Sequence, residues 1–366
     1  MKKIIATIVV LAVVAAAAIG GYTLLNDTVF EYGEAKVKLP EAMVYAEIQQ
    51  YSAESQYGAY FGEDMWNMEI TDGVTLEDSI KSNTIRQIKA VKVLAAHADD
   101  MKVSLSDEEK DTALEQAESF MESEEGKQIM EDAEADEELI RTIYEENALA
   151  TKVHQAIIDQ VDTEVTDEEA QVKTVYKLVF ATKKTDTNGE EVELSDEEKT
   201  KQKKKAQKAY RALKKGADIT YLAKQYDIQD TTDESFGPGQ SAGGEKFEAA
   251  VDKLKEGEFT SVIESDEGYV IAQLKEDFDK EKTEENKATV LEERQTQAYE
   301  DQYNEWTKDL EADWDDETSI NTRVWDKVKF TYGSITSTAT EETTESDTTE
   351  ADAAEKDTEA STDAEE

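Results

Sequence analysis

The sequence predicts an α+β protein: a mostly helical body with a smaller α+β module inserted into it. Three observations lead there. Residues 76–98 and 139–161 repeat apolar side chains at three- and four-residue spacing, the period of one helix face. Residues 175–180 and 268–274 are β-branched and aromatic runs, the composition of strands, and they bracket helical sequence. With only two prolines, Pro40 and Pro238, in 366 residues, long helices can run unbroken.

The chain opens on Lys2 and Lys3, followed by Ile4 to Leu25 without a charged residue. Those 22 residues match the roughly 20 needed to cross a bilayer as a helix. Basic residues in front place the N-terminus inside and everything after it outside. Ala15 to Ala18 also supply the small residues of a cleavage site. A retained anchor and a cleaved export signal therefore both stand, and the length of the apolar run favours the anchor. Both readings put the body of the protein outside the cytoplasm.

Composition narrows the chemistry. Net charge is −47, from 87 acidic and 40 basic residues, so phosphate backbones are repelled and nucleic acid is excluded as a partner. There is no cysteine, which removes thiol nucleophiles, disulfides, cysteine metal sites and lipidation on cysteine. The two histidines, His97 and His154, sit in no serine-hydrolase or zinc-protease pattern. Neither a metal nor a cofactor is expected. Asp186-Thr-Asn188-Gly189 places its glycine too early for a calcium loop and reads as a turn.

Element by element, residues 29–46 read as a short extended entry into an aromatic-rich helix that ends near a turn at 62–66. His97, at the end of the helix over 76–98, suits a C-terminal capping role. Ser106, Thr166 and Ser195 each precede a Glu three residues on and predict three helix starts. The acid-rich stretch 122–138 reads as a loop or solvated face. In the helix over 139–161, Ile140, Ile143, Tyr144, Ala148, Val153, Ile157 and Ile158 form the buried stripe, and His154 is structural. The inserted module then reads β-α-α-loop-α-β-β: a strand at 175–180, helices at 197–215 and 219–226, a loop at 235–244, a short helix at 247–254, a strand at 259–262 and a strand at 268–274. A long polar helix follows over 281–311, and residues 324–332 alternate like a strand. Residues 335–366 hold 12 acids, one lysine and no aromatic residue, so they cannot bury a core and are expected to be disordered.

Residues 175–274 resemble a parvulin-type peptidyl-prolyl isomerase domain. Leu213, Gly216, Ile219, Leu222 and Ala223 follow the family's helix motif, with Ile219 in place of the usual Phe. Phe247-Glu-Ala-Ala250, Leu254, Gly257-Glu258 and Ser261-Val262 follow the stretch whose Phe lines the proline pocket, and Ser265 through Gly268-Tyr269 follow the final hairpin. The helical part over 29–161, and the long helix after the insert, resemble the chaperone region of the PrsA and SurA foldases. The resemblance implies five regions: an anchor (1–25), a helical chaperone domain (26–165), a parvulin-like domain (170–278), a returning helix and strand (279–334) and an acidic tail (335–366).

It also implies two histidines facing each other across the pocket. Lys177 falls at the first of these positions and Val270 at the second, and Gly243 and Gly244 stand where a Met is usual. The pocket candidates are thus Phe247, Lys177, Val270 and Tyr269. The implied function is that of an extracytoplasmic, membrane-anchored folding factor, its partners unfolded or partly folded exported proteins. An active isomerase and a non-catalytic acidic surface-interaction protein are the alternatives.

Overall fold

The computed structural model describes residues 27–71, 73–185, 189, 191–228 and 233–333. The expected membrane helix, the turn at 186–188 and the acidic tail lie outside these residues. Among the described residues, no helix is long and apolar enough to cross a membrane. The chain divides into two compact units, one holding 27–89, 107–145 and 316–333, the other 90–106 and 146–315.

In the first unit, a hairpin of β1 (Thr28–Tyr32) and β2 (Ala35–Lys38) leads into α1 (Leu39–Phe61), which Pro40 can enter because the first helical turn needs no amide donor there. A 3₁₀ turn, Gly62–Asn67, and the small hairpin β3 (Glu69–Thr71) and β4 (Val74–Thr75) lead to α2 (Leu76–Ala96). After α3 (Asp107–Glu122) comes α4 (Glu124–Asp132), and then α5 (Glu137–Ile158); α2 and α5 both run on past the first unit's bounds into residues of the second. The stretch expected to be a loop or a solvated face is helical over Glu124–Asp132, with most of its acids exposed. Ser123 caps it by accepting from Gly126 N at 2.9 Å, and Ile129, at 1% exposure, supplies the buried contact that outweighs its acids.

The expected strand over 324–332 does not form. Residues Thr322–Trp325 make a helical turn, and the following stretch runs without a ladder. Val328 and Phe330, two residues apart, are buried and give the strand-like alternation, while Trp325 is buried out of that phase. Side chains take the place of a neighbouring strand: Lys81 Nζ donates to the carbonyls of Trp325 (3.0 Å) and Val328 (2.9 Å), Phe330 N donates to Glu77 Oε2 (3.1 Å), and Gln50 Nε2 donates to Thr331 O (2.9 Å).

The second unit contains the inserted module. β5 (Lys173–Phe180) is followed by a small hairpin of β6 (Lys183–Thr185) and β7 (Glu191–Glu193), then α6 (Asp196–Leu213) and α7 (Ile219–Gln225). β8 (Asp233–Phe236), α8 (Glu245–Val251), β9 (Ile263–Ser265) and β10 (Gly268–Glu276) complete it. The four-stranded antiparallel sheet has the order β8-β5-β10-β9. Two expectations shift. β8 lies at the head of the glycine-rich stretch expected to be loop, and the strand expected at 259–262 is displaced to 263–265, leaving only a bridge between Phe259 and Gln273. The Ser195 capping box is formed with Glu198, whereas the Thr166 box with Glu169 closes a turn and no helix follows it.

The sheet has two buried faces, assigned by strand alternation. Leu178, Phe180, Tyr269 and Ile271 pack under Ala206, Ala209 and Leu213 of α6 and Ile219 and Leu222 of α7. On the other face, Val175, Val270, Ala272 and Leu274 pack with Phe236, Phe247 and Val251.

The long helix α9 (Lys280–Ala312) stitches the two ends of the module together. Val172 N donates to Thr283 Oγ1 (3.0 Å), Asn286 Nδ2 donates to Ala170 O (3.1 Å), and Gln240 Nε2 donates to Asn286 Oδ1 (2.9 Å). Gly237 sits against this node, where a β-carbon would collide with Asn286 Nδ2 and approach Gln240 Oε1 to 2.8 Å. Gly237→Ala is expected to lower stability by about 1–3 kcal/mol through overpacking, read as a fall in the urea midpoint of the full chain.

Both histidines belong to the helical part of this unit. His97 stacks on Trp306 at 4.3 Å and 3°, and its Nδ1 lies 2.7 Å from Asp100 Oδ2, so the ring meets a carboxylate in place of the terminal helix carbonyls expected from its position. His154 packs on Tyr299 at 4.6 Å.

Candidate proline-pocket site

The register of β5 and β10 decides which candidates meet. Lys177 lies opposite Ala272, and Val179 opposite Val270, so all four share the face that holds Phe247. Tyr269 pairs with Phe180 on the reverse face, under α6, with Lys203 Nζ 5.2 Å from its ring centre. The structure thus gathers Phe247, Lys177 and Val270 and sets Tyr269 apart. Two adjacent residues of a strand cannot both face one pocket.

Phe247 and Val270 are each 0% exposed. Phe236 closes one side of Phe247 (ring centres 5.8 Å apart), and Gly243 closes another. A β-carbon at Gly243 would stand 2.5 Å from the Phe247 ring, so only glycine admits this approach. Above the ring, 5.8 Å from its centre, is the Lys177 ammonium.

Lys177 is 8% exposed and is held by two carboxylates that sequence reasoning missed. It meets Glu267 Oε1 at 2.7 Å and Oε2 at 2.8 Å, and it also pairs with Glu234 Oε2. Burial opposes the charge on Lys177, but the hydrogen bonds to Glu234 and Glu267 outweigh it and raise the pKa above the usual lysine value. Glu234 comes from the edge strand β8 and Glu267 from the turn before β10. No local motif connects them to Lys177 in the sequence; only the pairing of β8 with β5 does.

Beside this triad, β8 pairs with β5 over Lys173 to Tyr176 only. From Lys177 onward that edge of β5 borders a cleft of about 880 Å³, lined among others by Val179, Phe180, Tyr226, Asp233, Glu234 and Glu267. Phe247 is not part of its lining. Among the described residues no cluster could hold a metal ion.

A four-stranded antiparallel sheet with two helices on one face and a short helix on the other, and a cleft beside the first strand, defines a small α+β domain. Residues 178–276 match the family described as rotamase, PPIC-type PPIase domain, so the chain carries a parvulin-type peptidyl-prolyl isomerase domain. The match covers this module and not the helical remainder. No curated protein sequence matches the chain. Among solved structures, the chain is similar to a peptidylprolyl isomerase (PrsA) from Bacillus cereus, at 19% identity and a TM-score of 0.38, over 82% of this chain and 97% of that one. It is also similar to the foldase protein PrsA of Streptococcus pneumoniae, at 15% identity and a TM-score of 0.29, over 71% and 97% of the two chains. A structure from a report on SurA-like chaperones in Campylobacter jejuni aligns at 11% identity with a TM-score of 0.27, over 77% and 96%.

Proposed function

We propose that the chain is an extracytoplasmic protein-folding factor of the PrsA/SurA kind, tethered through its first 25 residues, whose parvulin-type domain holds polypeptide clients with a degenerate proline pocket. The observation that carries this reading is the filled pocket: Phe247 is 0% exposed beneath a lysine locked by Glu234 and Glu267. Isomerisation needs a site that prefers the twisted amide to the planar one, against a barrier of roughly 20 kcal/mol. A proline ring cannot reach Phe247 here without expelling the ammonium and both carboxylates.

Holding clients requires exposed apolar surface, and the helical domain supplies it. Tyr57, Tyr60 and Phe61 lie at i, i+3 and i+4 on α1 and are 45%, 83% and 49% exposed, with exposed Glu63 and Asp64 beside them. That mixture suits unfolded segments bearing both apolar and basic residues. The cleft along the β5 edge offers a second place for an extended chain to lie. In this reading the helical domain spans 26–165 and resumes at 279–334 around the module at 170–278.

The test is a proline-limited peptide isomerisation assay on the full chain, beside an aggregation assay with a reduced, unfolded exported protein. We expect no acceleration at about 50 μM chain, together with suppression of aggregation that weakens in Tyr60→Ser/Phe61→Ser. Clear acceleration would instead establish the competing reading, an active isomerase, for which the open cleft next to Lys177 is the favouring observation.

A further inference from the structure

Helix α6 concentrates positive charge in an otherwise acidic chain. Between Glu198 and Asp218 there are nine basic residues and no acidic one, against a net charge of −47 for the whole. Ala206, Ala209 and Leu213 turn one side of the helix into the sheet. Lys201, Lys204, Lys208 and Arg211, with Lys215 just past the helix end, follow at three- and four-residue spacing on the opposite side, and all five are exposed. The stripe is roughly 20 Å long at 1.5 Å per residue. Ion pairs on this helix are made by Lys199 with Glu193 and Lys203 with Glu264, outside the stripe. The five stripe cations form none among the described residues. Like charges at helical spacing repel, so the stripe costs the helix stability.

We propose that this face of α6 is a docking surface for the chain's own acidic segment, residues 334–366. Over 335–366 that segment carries 12 acids and one lysine. Its 33 residues can span up to roughly 110 Å, long beside the ~13 Å radius of gyration of a 100-residue domain. Charge alone would admit any polyanion. The rest of the chain is itself acidic, however, and repels an anion approaching from solution. A tethered segment avoids that approach and is present at an effective concentration in roughly the millimolar range. Exposed ion pairs are individually weak and screened by salt, so docking is reversible and depends on ionic strength.

Zero-length carbodiimide cross-linking of the full chain, followed by peptide mass spectrometry of the monomer band, tests this. At about 20 mM salt we expect isopeptide links from acids of 341–366 to Lys201, Lys204, Lys208 and Lys215, at least five-fold more frequent than to other exposed lysines. They should vanish at about 0.5 M salt. Links spread evenly over surface lysines, or confined to a dimer band, would overturn the proposal. A second measurement separates the segment from an external polyanion. Soluble polyglutamate should bind a chain ending at Gly333 at least five-fold more tightly than the full chain, and equal binding would show that the segment does not occupy the face.

Discussion

Lys177→Met is expected to destabilise the parvulin-type module by about 2–4 kcal/mol at pH 7, the cost of leaving buried charge uncompensated. Met keeps the length and the apolar stem of the lysine, so packing on Phe247 is largely retained and the loss reports charge. Without the ammonium, Glu234 and Glu267 face each other across one site, with side chains only 20% and 26% exposed. Their mutual repulsion is then no longer offset by a shared counter-ion. Adding Glu234→Gln and Glu267→Gln to the Met variant should recover most of the stability, because an uncharged site of similar volume needs no counter-ion. Urea midpoints of the full chain for the single and triple variants at pH 7 check this. A single variant as stable as the parent, or a triple variant no better than the single, would mean that the triad does not hold the pocket shut.

The same residues show what could be read in advance. The position of Lys177 on the first strand and of Phe247 on the short helix followed from local sequence, because strand composition and helix spacing are local properties. The partners of Lys177 did not. Glu234 reaches it through a strand hidden in a stretch rich in glycine, and Glu267 through a hairpin register that no short-range pattern encodes. The hairpin resemblance makes Tyr269 a pocket candidate, but strand alternation sends it to the face under α6.

The long helices α2, α5 and α9 lay within a few residues of their expected spans, since α2 and α5 repeat an apolar face over many turns and polar α9 holds no proline or glycine to break it. Alternation failed over 324–332 because buried Val328 and Phe330 imitate a strand while Lys81, Glu77 and Gln50 supply the hydrogen bonds. At 124–132 the acids left loop and solvated helix face undivided, and the Ser123 cap with buried Ile129 makes it a helix whose acids are mostly exposed.

Glu47 was equally invisible in the sequence, an acid among many in an acidic chain, and it sets the second large effect. It lies on α1, 8% exposed, with Oε2 buried and lacking a hydrogen-bond partner among the described residues. Burial, reinforced by the nearby Asp132 carboxylate, raises its pKa from 4.5 to about 8. The folded chain therefore binds a proton there that the unfolded chain releases above about pH 4.5. Stability from this group is fully present below that pH and declines as pH rises towards 8, by up to roughly 5 kcal/mol if the whole shift is expressed. Glu47→Gln mimics the protonated acid at every pH. It should match the parent near pH 4.5 and exceed it by about 2–4 kcal/mol at pH 9, where the parent must bury a charge beside Asp132. Urea unfolding at pH 5, 7 and 9, followed by far-ultraviolet circular dichroism, gives the comparison. Parallel pH profiles for the two proteins would mean that Glu47 is solvated in the folded chain. Diverging profiles would make this one carboxyl a main reason why so acidic a protein loses stability on the alkaline side, where its surface charge alone changes little.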